Sequence, residues 1–128
     1  MPSPAEMTET VLRYTGAHTA GDVDAIAALF AEDAVLADPV DAPEHHGRDA
    51  VRDFFAATHA TLDSMELRAT GPVRAVGSWA AVPLQARSHI GGSVYEVDII
   101  DVFTFGDDGL ISDMRAYWTA ADIRVVEA

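Results

Sequence analysis

The chain has 128 residues, 49% of them hydrophobic and 23% charged, the balance of a folded domain with one core. Its 21 Asp and Glu outnumber the eight basic residues, for a formal net charge of −13, a field that repels nucleic-acid phosphates and anionic bilayers. Every basic residue is arginine and cysteine is absent, so Schiff-base, thiolate and disulfide chemistry are excluded. Carboxylates, five histidines and three tyrosines remain for chemistry.

The start, Met1 to Glu6, has neither the basic residues nor the apolar core of a signal peptide. No apolar run reaches the ~18 residues of a membrane span. The expectation is a single domain over 1–128 in the cytoplasm.

A first helix is predicted from Pro4 to Ala20. Ser3 caps it, Pro4 occupies its first position, and Glu6 completes a capping box. Met7, Val11, Tyr14 and His18 share one face. Gly21 ends this helix, and Asp22 caps a second with the face Val23, Ile26, Ala27 and Phe30. Ala34 to Ala37 is an apolar stretch halted by Asp38-Pro39, where proline disfavours helix for Asp38. Asp41 to Gly47 reads as a loop. A third helix, from Arg48 to about Thr61, groups Val51, Phe54, Phe55 and Thr58.

The second half alternates. Gly71-Pro72, Gly77-Ser78, Gly91-Gly92 and Asp108-Gly109 punctuate it. Strands are predicted at Trp79 to Ile90, Val94 to Phe105 and Leu110 to Trp118. Helices followed by strands give an α+β fold, with three N-terminal helices packed in a curved antiparallel sheet.

Strand parity singles out Asp101. Val97, Ile99, Asp101, Phe103 and Phe105 share a face, so one carboxyl stands in an apolar surface. It must pair with a cation or hold its proton. Arg115 falls on the wrong parity of the next strand, where Met114, Ala116 and Trp118 point inward, so a protonated Asp101 is the better reading. A one-residue slip would instead turn Asp98, Ile100, Val102 and Thr104 inward, and a buried Asp can also serve as a structural acceptor.

Asp38, stiffened by Pro39, suits a rigidly held general base or a turn aspartate bonding its own backbone. Tyr14 lies on an apolar helix face and needs a partner for its hydroxyl, as any core tyrosine does. His18, one turn on, is placed at the rim. His45-His46 lack a third ligand at useful spacing, so no metal is expected. Phosphate loops, GxSxG elbows and HExxH motifs are absent.

Several local signals occur together in a known order. They are Arg13-Tyr14, Ala20-Gly21-Asp22-Val23-Asp24-Ala25-Ile26 and Leu29-Phe30-Ala31-Glu32-Asp33-Ala34. Ala37-Asp38-Pro39-Val40, His46-Gly47-Arg48, Phe54-Phe55 and Thr70-Gly71-Pro72-Val73-Arg74-Ala75 follow. Val97-Asp98-Ile99-Ile100-Asp101-Val102 and Met114-Arg115-Ala116-Tyr117-Trp118 complete the series. Over nearly the whole chain this resembles the bacterial ketosteroid isomerase family, within the nuclear transport factor 2-like superfamily.

The resemblance implies a cone-shaped α+β fold, a homodimer and no cofactor. It implies Asp38 as general base, Tyr14 and Asp101 as oxyanion donors, and a 3-oxo-Δ5-steroid as substrate. This family is itself a well-known example of a carboxylic acid kept neutral by an apolar site. Phe54, Leu84, Ala86, Ile99, Phe103, Met114, Ala116 and Trp118 would form the apolar slot, although each is also a plausible core residue. Phe30 and Phe55 stand where some members carry further tyrosines, so Tyr14 is expected to lack that hydroxyl network. The rival readings are a polyketide cyclase, dehydratase or epoxide hydrolase of the superfamily, or a non-catalytic binder of a hydrophobic ligand.

Overall fold

The computed structural model describes residues 1–127. Helix α1 spans Pro4–Ala20, with the capping box between Ser3 and Glu6 formed in both directions. It buries Met7, Val11, Tyr14 and His18 and ends at Gly21, whose φ of 67° suits a residue without a Cβ. Helix α2 spans Val23–Ala27 under an Asp22 cap, and α3 spans Arg48–Ala60.

The described residues also form eight strands: β1 Phe30–Ala37, β2 His45–His46, β3 Ser64–Ala69, β4 Arg74–Val76, β5 Trp79–Ile90, β6 Ser93–Phe105, β7 Ile111–Tyr117 and β8 Ile123–Glu127. They form one sheet in the order β2-β1-β7-β6-β5-β3, with β4 on β5 and β8 on β6. Helix α1 packs on β3, β4 and β5, while α3 packs on β1 and β2.

Three expectations are corrected here. Phe30 belongs to β1 rather than to the face of α2, because pairing with Ile111 and the Ile111 N–H to Leu29 bond draw this backbone into the sheet. The sheet is also mixed rather than wholly antiparallel, since β1 and β7 pair in parallel. A parallel pair needs a long crossover, and the chain supplies one through α3 and strands β3 to β6. His45 and His46, read as loop, form a short rung on Leu36 and Val35.

On β6, Asp101, Phe103 and Phe105 are buried while Asp98 and Ile100 are exposed, so the inward parity holds and the slipped register does not. On β7, Met114 and Ala116 are likewise buried and Tyr117 is exposed. Val97 faces Ala86, Ile99 faces Leu84, Asp101 faces Val82 and Phe103 faces Ala80 across to β5. Fully burying a side chain such as Phe103 contributes ~1.5–3 kcal/mol, so this face is held strongly in register.

Candidate active site

A cavity of about 190 Å³ opens between the helices and the sheet. Tyr14 from α1, Asp38 from the end of β1 and Asp101 from β6 all line it. Of the expected apolar wall, Ala86, Ile99, Ala116 and Trp118 line the cavity as well. Phe54, Leu84, Phe103 and Met114 lie outside that lining. Leu84, Phe103 and Met114 are core residues, and Phe54 packs on His45 with ring centroids 4.6 Å apart. Met65, Leu67, Val97 and Ile123 also line the cavity, although none was singled out in the sequence for that role.

Asp38 follows the last residue of β1, and its bond to Pro39 is cis. Ala37 pairs with Arg115, and the Val40 N–H donates to Ala116 at 2.8 Å, so backbone bonds hold the turn on both sides. The Trp118 indole N–H then donates to Asp38 Oδ1 at 2.7 Å. Burial raises the Asp38 pKa, while the Trp118 bond and the neighbouring His45 work against that rise by favouring the carboxylate. A partly buried carboxylate with one strong donor can both hold charge and accept a proton.

Asp101 is its opposite. It is 3% exposed, and its Oδ1 has no hydrogen-bond partner. Arg115 turns outward to Glu44 and Asp113, at 2.8 and 3.0 Å. Burial foremost, then repulsion from Asp38, pushes the Asp101 carboxyl well above the ordinary carboxylate range. A carboxyl that keeps its proton is a hydrogen-bond donor.

Burial foremost raises the Tyr14 hydroxyl well above its usual pKa, and ionisation of the nearby Asp101 or Asp38 would raise it further, so it too keeps its proton. The Tyr14 ring meets Phe30, Phe55 and Phe103 edge-on, with centroids 6.3, 6.1 and 5.4 Å away. Positions 30 and 55 therefore supply packing around the ring and no hydroxyl.

His18 departs from the rim position expected of it. It is 4% exposed, lines the cavity, and packs edge-on against Tyr14 and Phe55 with centroids 4.6 and 4.7 Å away. Its Nδ1 lies 3.0 Å from Nε2 of His59. Burial foremost and the adjacent His59 lower its pKa to about 3, so its ring is neutral near pH 7. The signal was available in the heptad-like face Met7, Val11, Tyr14 and His18, which gives all four the same burial. His89, on the parity of β5 opposite to the buried Ala80, Val82, Leu84 and Ala86, lies 3.0 Å from Glu66. Among the described residues, no group of three or more His, Asp or Glu could hold a metal ion.

A layer of helices across a curved mixed sheet, with carboxyls facing an apolar cavity between them, defines a class of small α+β proteins. Residues 11–114 match the model of the SnoaL-like domain, and the chain belongs to that family. Within this class, the chain is 43% identical over 124 residues to the steroid Delta-isomerase of Nocardioides simplex, covering 97% of this chain and 98% of that protein. Epoxide hydrolase LasB of Streptomyces lasalocidi is 33% identical over 136 residues, covering 95% of this chain and 44% of that protein, so the chain spans less than half of LasB. The solved structure of SalBIII, an epoxide hydrolase/cyclase-like enzyme in pyran ring formation of the polyether salinomycin, superposes with a TM-score of 0.87. That match is at 30% identity and covers 98% of this chain and 99% of SalBIII.

Proposed function

We propose that the protein is a steroid Δ5-isomerase, converting 3-oxo-Δ5-steroids into conjugated 3-oxo-Δ4-steroids. The observation that carries this reading is the contrast between two carboxyls on one apolar cavity. Asp38 accepts a hydrogen bond from Trp118, whereas buried Asp101 has no arginine and no partner for Oδ1. The similarity to the Nocardioides enzyme supports the same conclusion.

Asp38, ionised, removes a proton from C4, next to the 3-oxo group. The electron pair delocalises into a dienolate, and charge develops on the 3-oxygen. Tyr14 and protonated Asp101 donate hydrogen bonds to that oxygen, in a cavity where water does not weaken them. Asp38 then returns its proton to C6, leaving the double bond conjugated with the carbonyl. One base and two neutral donors suffice, so the reaction requires no cofactor.

The reading includes a homodimer. Ile100 and Tyr117 project from the sheet face opposite Asp101 and Ala116 and are about half exposed, an apolar surface that a second copy would cover. It also includes a cytoplasmic setting. No helix among the described residues is long and apolar enough to cross a membrane.

A second reading is general acid–base opening of an epoxide. The likeness to SalBIII and LasB favours it, and Asp38 and Asp101 would again be base and acid. Adding a 3-oxo-Δ5-steroid and following the ultraviolet absorbance of the conjugated enone separates the two. Acceleration over buffer supports the isomerase. A folded protein that leaves the steroid unchanged but opens an epoxide refutes it.

A further inference from the structure

His18 is buried with its Nε2 unpaired, and an apolar side chain would fill the same space without that penalty. Packing alone therefore does not account for a histidine at this position. The steroid reading gives it no part in the proton transfer. What it does touch is Tyr14.

Tyr14 and His18 stand one turn apart on the same face of α1, with ring centroids 4.6 Å apart and planes at 73°. The His18 ring also meets Phe55 of α3 edge-on, at 4.7 Å and 82°. Tyr14 depends on such neighbours for its direction. Among the described residues nothing hydrogen-bonds its hydroxyl, so the packing of the ring alone must aim it. Phe30, Phe55 and Phe103 surround that ring, but none of them is itself held by a directional side-chain bond.

His18 is held by one. Its Nδ1 lies 3.0 Å from Nε2 of His59 on α3. The two ring planes differ by only 23°, and their centroids are 5.2 Å apart, close to the N···N distance plus the two ring radii. The rings thus meet end to end, and the bond runs near both planes. Such a bond resists rotation of the His18 ring whichever nitrogen carries the proton. Among the described residues it is the only side-chain hydrogen bond that joins α1 to α3. The described ring contacts of His59 are with His18 alone, so any influence of His59 on Tyr14 passes through His18.

We propose that His18, tethered to α3 by His59, is a positioning residue that holds the Tyr14 ring with its hydroxyl aimed at the developing oxyanion. This rests on the steroid reading, in which Tyr14 donates to the 3-oxygen. The unpaired Nε2 is then a loss of stability accepted for a fixed ring, a common trade at catalytic sites.

The test breaks the tether from the side remote from Tyr14. His59→Leu removes the bond and leaves the His18 ring, while His59→Gln keeps a group able to donate or accept. With androst-5-ene-3,17-dione, His59→Leu is expected to lower kcat about 10-fold, less than the 10²- to 10³-fold cost of losing an oxyanion donor outright. KM should stay within about twofold, and His59→Gln should recover most of the loss. In a Tyr14→Phe background the same His59→Leu change should alter kcat by less than about twofold, because the hydroxyl it positions is gone. If His59→Leu does not fold, His18→Leu is read in the same two backgrounds. An unchanged kcat in the folded variant, a loss confined to KM, or an equal loss with and without the Tyr14 hydroxyl overturns the proposal. The ring signal of Tyr14 in carbon-13 tyrosine-labelled protein, assigned by its absence in Tyr14→Phe, is recorded alongside. It should move in His59→Leu and return in His59→Gln. A moved signal with no steroid turnover by the native protein sinks the isomerase and leaves the tether standing, whereas turnover with an unmoved signal does the reverse.

Discussion

The indole N–H of Trp118 reaches Asp38 Oδ1 over 2.7 Å, joining positions 80 residues apart in the chain. This bond favours the ionised carboxylate, against the burial that disfavours it. Trp118→Phe keeps an aromatic wall and removes the donor. Asp38 should then ionise only at higher pH, so the acid limb of the kcat/KM profile shifts upward relative to the native protein. A profile that does not move would show that the bond has no influence on the base.

Asp38→Asn removes the proton acceptor while preserving shape. Turnover of a 3-oxo-Δ5-steroid should fall by about 10²- to 10⁴-fold, the usual contribution of general base catalysis. Binding of a steroidal phenol should change by only a few-fold, measured by equilibrium titration. Intact turnover in this variant would place the base elsewhere.

Tyr14→Phe and Asp101→Asn address the two donors. Losing one donor from an oxyanion site costs about 10²- to 10³-fold in kcat, and single-turnover absorbance measurements would resolve it. Asp101→Asn also carries a stability signature. The folded-state pKa of Asp101 is raised, so its contribution to stability is fully present below the ordinary carboxylate pKa and is lost as pH rises through the raised value. The variant should therefore gain in urea midpoint relative to the native protein as pH increases through that window.

His18 has the opposite sign. Its pKa falls from 6.5 to about 3 on folding, so the unfolded chain takes up its proton first. Stability is present above pH 6.5 and declines as pH drops toward about 3. His18→Leu should have a shallower decline across that range in denaturant titrations. It should also be more stable near pH 7, because the buried Nε2 that lacks a partner is gone.

The local physics of the chain made much of this legible. Capping at Ser3 and Gly21 marks the ends of α1, and the lone carboxyl among Val97, Ile99, Phe103 and Phe105 marks Asp101 as buried and protonated. What escaped depends on distant partners. The rung at His45 and His46 exists because β1 runs beside it, and Phe30 leaves the helix because Ile111 pairs with it. Trp118 reads as an apolar wall residue in the sequence, since nothing near it in the chain reveals that its N–H will meet Asp38. Parity indicates which face a residue takes but not its depth. Leu84, Phe103 and Met114 share the inward face with Ala86, Ile99 and Ala116 yet lie beneath the cavity instead of along it.

The parallel pairing of β1 with β7 has a consequence for the order in which the protein is made. Asp38 leaves the ribosome about 80 residues before Trp118, the residue that completes its surroundings. Such distant closure raises contact order and slows folding relative to a helical bundle of similar length. Until β7 docks, the cavity lacks Ala116 and Asp38 lacks its Trp118 donor, so a nascent chain or one truncated before β7 should be inactive however helical it is. Competence to act thus arrives with the last third of the chain, late in synthesis and in a single step.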